Sequence, residues 1–165
     1  MRHIQETLEV DIPIRTVYNQ WTQFEDFPYF MSGVEAVHQL DARHVHWVAH
    51  IAGVRREWDA EIVEQIPDTR VAWRNIDGTT NGGAVNFEQV TPHATKITLV
   101  LDFEPSGLIE NVGDKLGIIS AQARSDLERF RTFITERGAE TGAWRGEIGE
   151  GGDDQDGADS PHRQP

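Results

Sequence analysis

A chain of 165 residues is long enough for one domain with its own hydrophobic core. Its 28 acidic against 15 basic side chains leave a formal charge of −13. That excludes a nucleic-acid face built on clustered Lys and Arg, and an electrostatic hold on anionic lipid. With no cysteine, disulfides, a thiolate nucleophile and Cys-ligated zinc are excluded as well. The N-terminus, M-R-H-I-Q-E-T-L-E-V, has no apolar leader core, and no stretch approaches the roughly 18 apolar residues of a membrane span. The expectation is a cytoplasmic protein without stable membrane insertion.

Ile4, Leu8, Val10 and Ile12 fall on alternate positions and predict a first strand. Pro13 suits a first helical turn, and Ile14, Val17, Tyr18 and Trp21 recur at i, i+3, i+4, i+7, predicting a short helix. Residues 24–31 follow as a second helical piece, which Pro28 limits to a turn or two. Residues 34–103 then read as an antiparallel meander. A two-residue turn at Pro67-Asp68 sets Ile62 opposite Trp73, Ala60 opposite Asn75 and Glu61 opposite Arg74. One at Gly53-Val54 sets Trp47 opposite Ala60, Ala49 opposite Trp58 and Ile51 opposite Arg56.

Both turns sort the side chains the same way. One face collects Val45, Trp47, Ala49, Ile51, Arg56, Trp58, Ala60, Ile62, Val71, Trp73 and Asn75. The other collects His44, His46, Val48, His50, Glu57, Asp59, Glu61, Arg70 and Arg74, with Glu61 paired to Arg74 and His46, and Glu57 to His50. Asn81-Gly82-Gly83 opens a strand carrying Val85 and Phe87, and Thr91-Pro92-His93-Ala94 turns it back into a last strand with Ile97, Leu99, Leu101 and Phe103 on one side.

Residues 108–137 predict one long helix whose stripe is Val112, Leu116, Ile119, Ala123, Leu127, Phe130 and Ile134. A meander closed by a single helix leaves that stripe only the sheet to bury against, with a pocket between them. Gly113 and Gly117 each cost about 1 kcal/mol relative to Ala in a helix interior, which points to close approach or looseness there. Beyond residue 137 the composition turns to Gly, Asp and Glu. The chain thus divides into a domain (1–137), an extension whose Trp144 and Ile148 dock on it (138–149), and a disordered acidic tail (150–165).

His44, His46 and His50 have the strand spacing of a metal site, but the register puts them on a solvated face beside carboxylates, so no metal is expected. His38 reaches the inner face only if the turn at Ala42-Arg43 has two residues. No Ser-His-Asp constellation, phosphate-cradling glycine loop or dinucleotide fingerprint occurs. The candidate ligand-binding residues are therefore Trp47, Trp58, Trp73, Phe87, Leu99 and Leu101 on the sheet and Leu116, Gly117 and Ile119 on the helix. Arg56 and Asn75 are the polar groups that would orient a ligand.

Several segments carry a family resemblance: V-D-I-P-I-R-T-V-Y-N-Q-W-T (10–22), F-E-D-F-P-Y-F-M-S-G-V (24–34), R-E-W-D-A-E-I (56–62) and P-D-T-R-V-A-W-R (67–74). G-A-V-N-F (83–87), D-L-E-R-F (126–130) and G-A-W-R-G-E-I (142–148) complete it. Together they resemble the START-like superfamily, the helix-grip fold of plant pollen allergens and polyketide cyclase/dehydrase proteins, nearest to its small bacterial cyclase/dehydrase subgroup. The resemblance implies an α+β fold: a curved antiparallel sheet of about seven strands wrapped around a long C-terminal helix, with two short helices after the first strand. It implies a partner that is a small hydrophobic, aromatic or polycyclic molecule bound non-covalently, with no cofactor. The alternatives are a polyketide-type cyclase or aromatase using the same cavity, and an interaction module using Trp144 and the acidic tail. The oligomeric state is left open.

Overall fold

The alternating N-terminal segment forms strand β1 (Arg2–Val10), and Pro13 stands at the N-cap of helix α1 (Ile14–Trp21). A 3-10 helix, Phe24–Tyr29, holds Pro28 within it. Strands β2 (Val34–Gln39), β3 (His44–Ile51), β4 (Val54–Ile66), β5 (Arg70–Asn75), β6 (Gly82–Thr91) and β7 (Ala94–Phe103) follow, then helix α2 (Val112–Arg137). The structure is a computed structural model and describes residues 2–51, 53–76, 82–103 and 112–149. The expected helix start at 108 and the acidic tail 150–165 lie outside the described residues, as do the side chains of Ile51, Phe103, Val112, Gly113 and Leu116.

The seven strands form one antiparallel sheet in the order β1-β7-β6-β5-β4-β3-β2. The short helices carry the chain from one edge of the sheet to the other, and the meander brings it back beside β1. Extra residues at Glu35, Val63 and Val90 interrupt the ladders, and such bulges bend a strand and increase its twist. The sheet thereby curls around α2, giving the α+β helix-grip architecture.

The expected faces hold, while two details of register differ. Between β3 and β4 the ladder closes on Ile51 with Val54, with Gly53 at a φ of 89°. Trp47 therefore faces Trp58 and Ala49 faces Arg56, one rung away from the expected partners. A shift of two residues leaves every side chain on its own face, so Val45, Ala60, Ile62 and Val71 are still buried. It does change the outer pairs. His46 meets Asp59 and Glu57 rather than Glu61, and His50 meets Glu35 rather than Glu57, while Glu61 keeps Arg74. The β4–β5 connection spans Pro67, Asp68 and Thr69, with Asp68 at a φ of 59°, one residue more than expected. The bulge at Val63 absorbs that residue, and Ile62 faces Trp73 as the shorter turn predicted.

Along α2 the stripe Ile119, Ala123, Leu127, Phe130 and Ile134 is buried. Its C-terminal half sits on a solid aromatic cluster. Trp21 meets Phe27, Phe30 and Phe130 at ring centroid distances of 5.3, 5.8 and 5.2 Å, and Phe30 meets Phe130 at 5.0 Å. Polar contacts hold the helix on both flanks. Glu6 on β1 accepts hydrogen bonds from Ser120 Oγ at 2.6 Å and Arg124 Nε at 3.1 Å, and the Ser120 bond leads in holding its carboxyl below the ordinary range. On the other flank Arg129 Nε donates to the Phe30 carbonyl at 3.3 Å.

Residues 138–149 run as a strap over α1. The buried side chains of Asn19, Gln20 and Thr22 face it. Gln20 exchanges hydrogen bonds with Thr141, Thr22 Oγ1 accepts from the Trp144 backbone, and Arg145 bonds Asn19 at 2.6 Å. Arg145 also pairs with Asp68 at 2.8 Å and lies over the Tyr18 ring. Burial pushes the Tyr18 phenol well up. The strap ends on a two-hydrogen-bond bridge between Gln65 and Ile148, which is fully buried. Ile148→Ala should therefore destabilise the protein by about 2–4 kcal/mol, read as a lower denaturant midpoint. A chain ending at 149 should melt near the full-length temperature and one ending at 138 several degrees lower; equal melting of both shortened chains would mean that the strap contributes nothing.

Candidate functional site

Where α2 leaves the aromatic cluster, the sheet curves away from it and a cavity of about 470 Å³ remains. That lies within the 300–1,000 Å³ typical of small-molecule sites. Alternation aims Trp47 (β3), Trp58 (β4) and Trp73 (β5) at this space, and all three line it, half-buried. Trp47 and Trp58 are cross-strand neighbours with parallel rings 5.9 Å apart, a stacked wall suited to another flat ring. Leu99 and Leu101 of β7 and Ile119 of α2 close the opposite sides, and Asn75 is buried at the wall.

Arg56 stands two residues before Trp58 on the same face, half-buried and opposite the lining residue Ala49, but it does not itself line the cavity. Its Nε is buried without a hydrogen-bond partner among the described residues, a costly position for a donor on a cation.

Two further candidates fall outside the cavity lining. Phe87 is buried under α1, edge-on to Tyr18 at 5.4 Å, and does not line the cavity. It shares a face with the cavity residues but lies further along the sheet, where α1 already fills the space. Gly117 is exposed and a Cβ there would meet open space, so no side chain from it would enter the cavity; it lies off the buried stripe. Leu116 lies outside the described side chains. His38 is exposed and pairs with His46, because the β2–β3 turn is longer than two residues.

Residues not singled out from sequence also line the cavity: Trp21 and Phe27 from the aromatic cluster, Met31 and Val34 beside it, and Gln122 and Asp126 from α2. Asp126 is the notable omission. Its carboxyl accepts hydrogen bonds from Gln122 Nε2 at 2.9 Å and the Ser32 backbone at 3.2 Å. Burial nonetheless raises it above the ordinary carboxylate range, against those bonds and the nearby Arg129. The spacing 119, 122, 126 places it beside the stripe on one helix edge, which was the available signal.

On the outer face His46 lies between Asp59 at 2.6 Å and Glu57 at 3.2 Å. Among the described residues no group of three or more His, Asp or Glu is arranged to hold a metal ion. Nor is any described helix long and apolar enough to cross a membrane.

A curved antiparallel sheet closed over an apolar cavity by one long helix defines a helix-grip fold. The family model for "Polyketide cyclase / dehydrase and lipid transport" matches residues 10–132, and the chain belongs to that family. It is 51% identical over 149 residues to an uncharacterized 17.2 kDa protein in the melC2-rnhH intergenic region of Streptomyces lincolnensis, covering 90% of this chain and 99% of that one. Among solved structures it is similar to the Zhui aromatase/cyclase from Streptomyces sp. R1128, with a TM-score of 0.70, 17% identity and coverage of 87% of this chain and 99% of that one. A START superfamily protein from Mycobacterium smegmatis matches with a TM-score of 0.64 and 13% identity over 82% of this chain and 95% of its own. At these identities the likeness to solved structures is one of fold.

The hydrogen bond that the ring donates to Asp59 is the leading cause that raises the His46 imidazole above its ordinary 6.5. Its proton is thus held more tightly in the folded state, so the stability it adds is fully present below pH 6.5 and is lost as the pH rises through the higher folded value. An NMR titration should place the His46 ring above 6.5, and His46→Gln should remove this alkaline loss. A midpoint at or below 6.5 would contradict the pairing.

Proposed function

We propose that the protein binds a small hydrophobic, aromatic or polycyclic ligand non-covalently in the cavity between sheet and α2. The observation that carries this reading is the stacked Trp47–Trp58 wall on a space of about 470 Å³. Apolar walls supply affinity at about 25 cal/mol per Å² of apolar surface removed from water, and aromatic faces favour a flat guest. Asn75 at the wall and Arg56 beyond Trp58 supply orientation, Arg56 through a guanidinium whose Nε has no protein partner among the described residues. The ligand's carbonyl, phenol or carboxylate is the natural acceptor.

A second reading, a polyketide-type cyclase or aromatase working in the same cavity, is supported by the family description and the aromatase/cyclase neighbour. Catalysis would then consist mainly of holding a flexible chain in a folded shape. Turnover of a poly-β-keto substrate separates it from a pure binder. An interaction module built on Trp144 has less support, since Trp144 packs against the core; ligand binding that survives removal of residues 138–165 would exclude it.

The neutral probe N-phenyl-1-naphthylamine should bind the native protein and quench its tryptophan emission. Leu101→Trp, which fills the cavity, should weaken binding at least about tenfold, a loss of about 1.4 kcal/mol. Gly117→Leu, on the exposed side of α2, should leave it unchanged. No binding to the wild-type protein would overturn the reading.

Arg56→Ala should weaken aromatic ligands bearing a carbonyl or phenol by about tenfold and leave plain hydrocarbons within about twofold, since a hydrogen bond to a charged group contributes about 1.5–3 kcal/mol. Parallel titrations of both ligand types check this, and equal losses would remove Arg56 from the site.

A further inference from the structure

We infer that Ser32, Gln122 and Asp126 form a polar subsite on the cavity wall that takes a hydroxyl group of the ligand. The inference rests on the cavity being the ligand site proposed above, and it adds the chemistry of one end of the ligand.

Where α2 passes the segment leading into β2, three polar side chains come together on a wall otherwise mostly apolar, with His50, Asn75 and Asp102 its other polar residues. Gln122 Nε2 donates to Asp126 Oδ1 at 2.9 Å and lies 2.8 Å from Ser32 Oγ, and the Ser32 backbone N–H donates to the same Oδ1 at 3.2 Å. All three residues line the cavity. Both hydrogen bonds to the carboxyl end on Oδ1, so Oδ2 has no protein donor among the described residues. Gln122 Oε1 is an open acceptor in the same sense, and the Ser32 hydroxyl keeps its own proton to donate.

The charge around Asp126 narrows the choice of guest. Arg129, one turn further along α2, directs its Nε to the Phe30 carbonyl. Among the described residues no cation makes an ion pair with Asp126. Burial already disfavours its charged form, and a ligand carboxylate at this place would add a second negative charge beside it. A ligand hydroxyl fits in either protonation state. It donates to Oδ2 when the carboxyl is ionised, and accepts from it when the carboxyl is protonated. An ether oxygen has no proton to give and loses one of the two options.

The three bonds also tie α2 to the segment before β2, and a purely structural role would affect all ligands alike. The test must therefore read donor and acceptor preference rather than affinity alone. Naphthalene, 2-naphthol and 2-methoxynaphthalene are titrated into the full chain and followed by tryptophan fluorescence. Asp126→Asn keeps Oδ1 as acceptor for Ser32 and Gln122 but turns the Oδ2 position into an NH₂ that only donates. It should lower the ratio of 2-naphthol to 2-methoxynaphthalene affinity at least about fivefold, as loss of one hydrogen bond predicts, while naphthalene changes less than about twofold. If that variant does not fold, Gln122→Leu keeps the carboxyl, removes an acceptor, and should lower the same ratio. An unchanged ratio in the folded variant, or equal weakening of all three ligands, overturns the subsite. Failure of all three naphthalenes to bind the wild-type protein would instead overturn the cavity reading beneath it.

Discussion

The structure depends on a mismatch of widths between one helix and seven strands. At about 4.8 Å between strands the sheet is roughly 34 Å across, whereas a helix with its side chains is only about 10 Å thick. A single helix cannot cover the concave face, so something else must fill the remainder or it stays open. Trp21 of α1, Phe27 of the 3-10 helix and the adjoining Phe30 fill one part, and Trp21 and Phe30 meet Phe130 from α2. The rest is the cavity. Glu6 with Ser120 and Arg124 on one flank, and Phe30 with Arg129 on the other, tie the helix at its edges. Edge ties of this kind fix the height of α2 above the sheet and stop it from sinking into the open part.

The sheet was legible because its side-chain period is two, and errors of two residues are harmless to it. Reading the β3–β4 turn at Gly53-Val54 instead of one position earlier moved every cross-strand partner but no face. The β4–β5 turn was one residue longer than expected, an error that would have inverted the faces, yet the bulge at Val63 cancelled it before Ile62 and Trp73. Nothing in the local sequence announces that bulge. The strap was legible in part through Trp144 and Ile148. What stayed hidden was its target, the buried polar side chains Asn19, Gln20 and Thr22, because an amphipathic reading of α1 accounts only for its apolar stripe. The segments 10–22 and 142–148 are two sides of one contact, separated by the whole meander.

For the site, alternation told which side chains face inward and said nothing about where along the concave face they lie. Trp47, Trp58, Trp73, Leu99 and Leu101 face the open part, whereas Phe87, equally inward, lies under α1. That distinction depends on how the short helices cross from one edge of the sheet to the other, a long-range property. Gly117 was chosen for its unusual residue type in a helix rather than for its position, and its angle on α2 turns it outward. Asp126 was passed over for the opposite reason: a carboxylate in a charged helix looks like solvent-facing surface. Gln122 on the same helix gives it one partner, and the approach of Ser32, ninety-four residues earlier in the chain, adds a second from across the cavity wall.

The division of charge between the two faces of the sheet bears on what the cavity selects. The outer face gathers cations into a ladder: Arg55 bonds Glu35 and Glu57, His46 lies between Glu57 and Asp59, and Arg74 bonds Glu61. Each exposed pair contributes little, but together they answer many of the carboxylates crowded on that surface. Arg56, between Arg55 and Glu57 in sequence, is turned inward by the pleat and has no place in this ladder. A guanidinium partly withdrawn from water needs compensation from water or a bound acceptor. On the binding reading, Arg56 on β4 and Asp126 on α2 then give the guest two chemically different surroundings. A ligand with an acceptor for Arg56 and a hydroxyl for Asp126 satisfies both, and the reversed orientation leaves one of them unpaired. Stacked tryptophans hold many flat molecules alike; this polarity would decide which way round one of them is held.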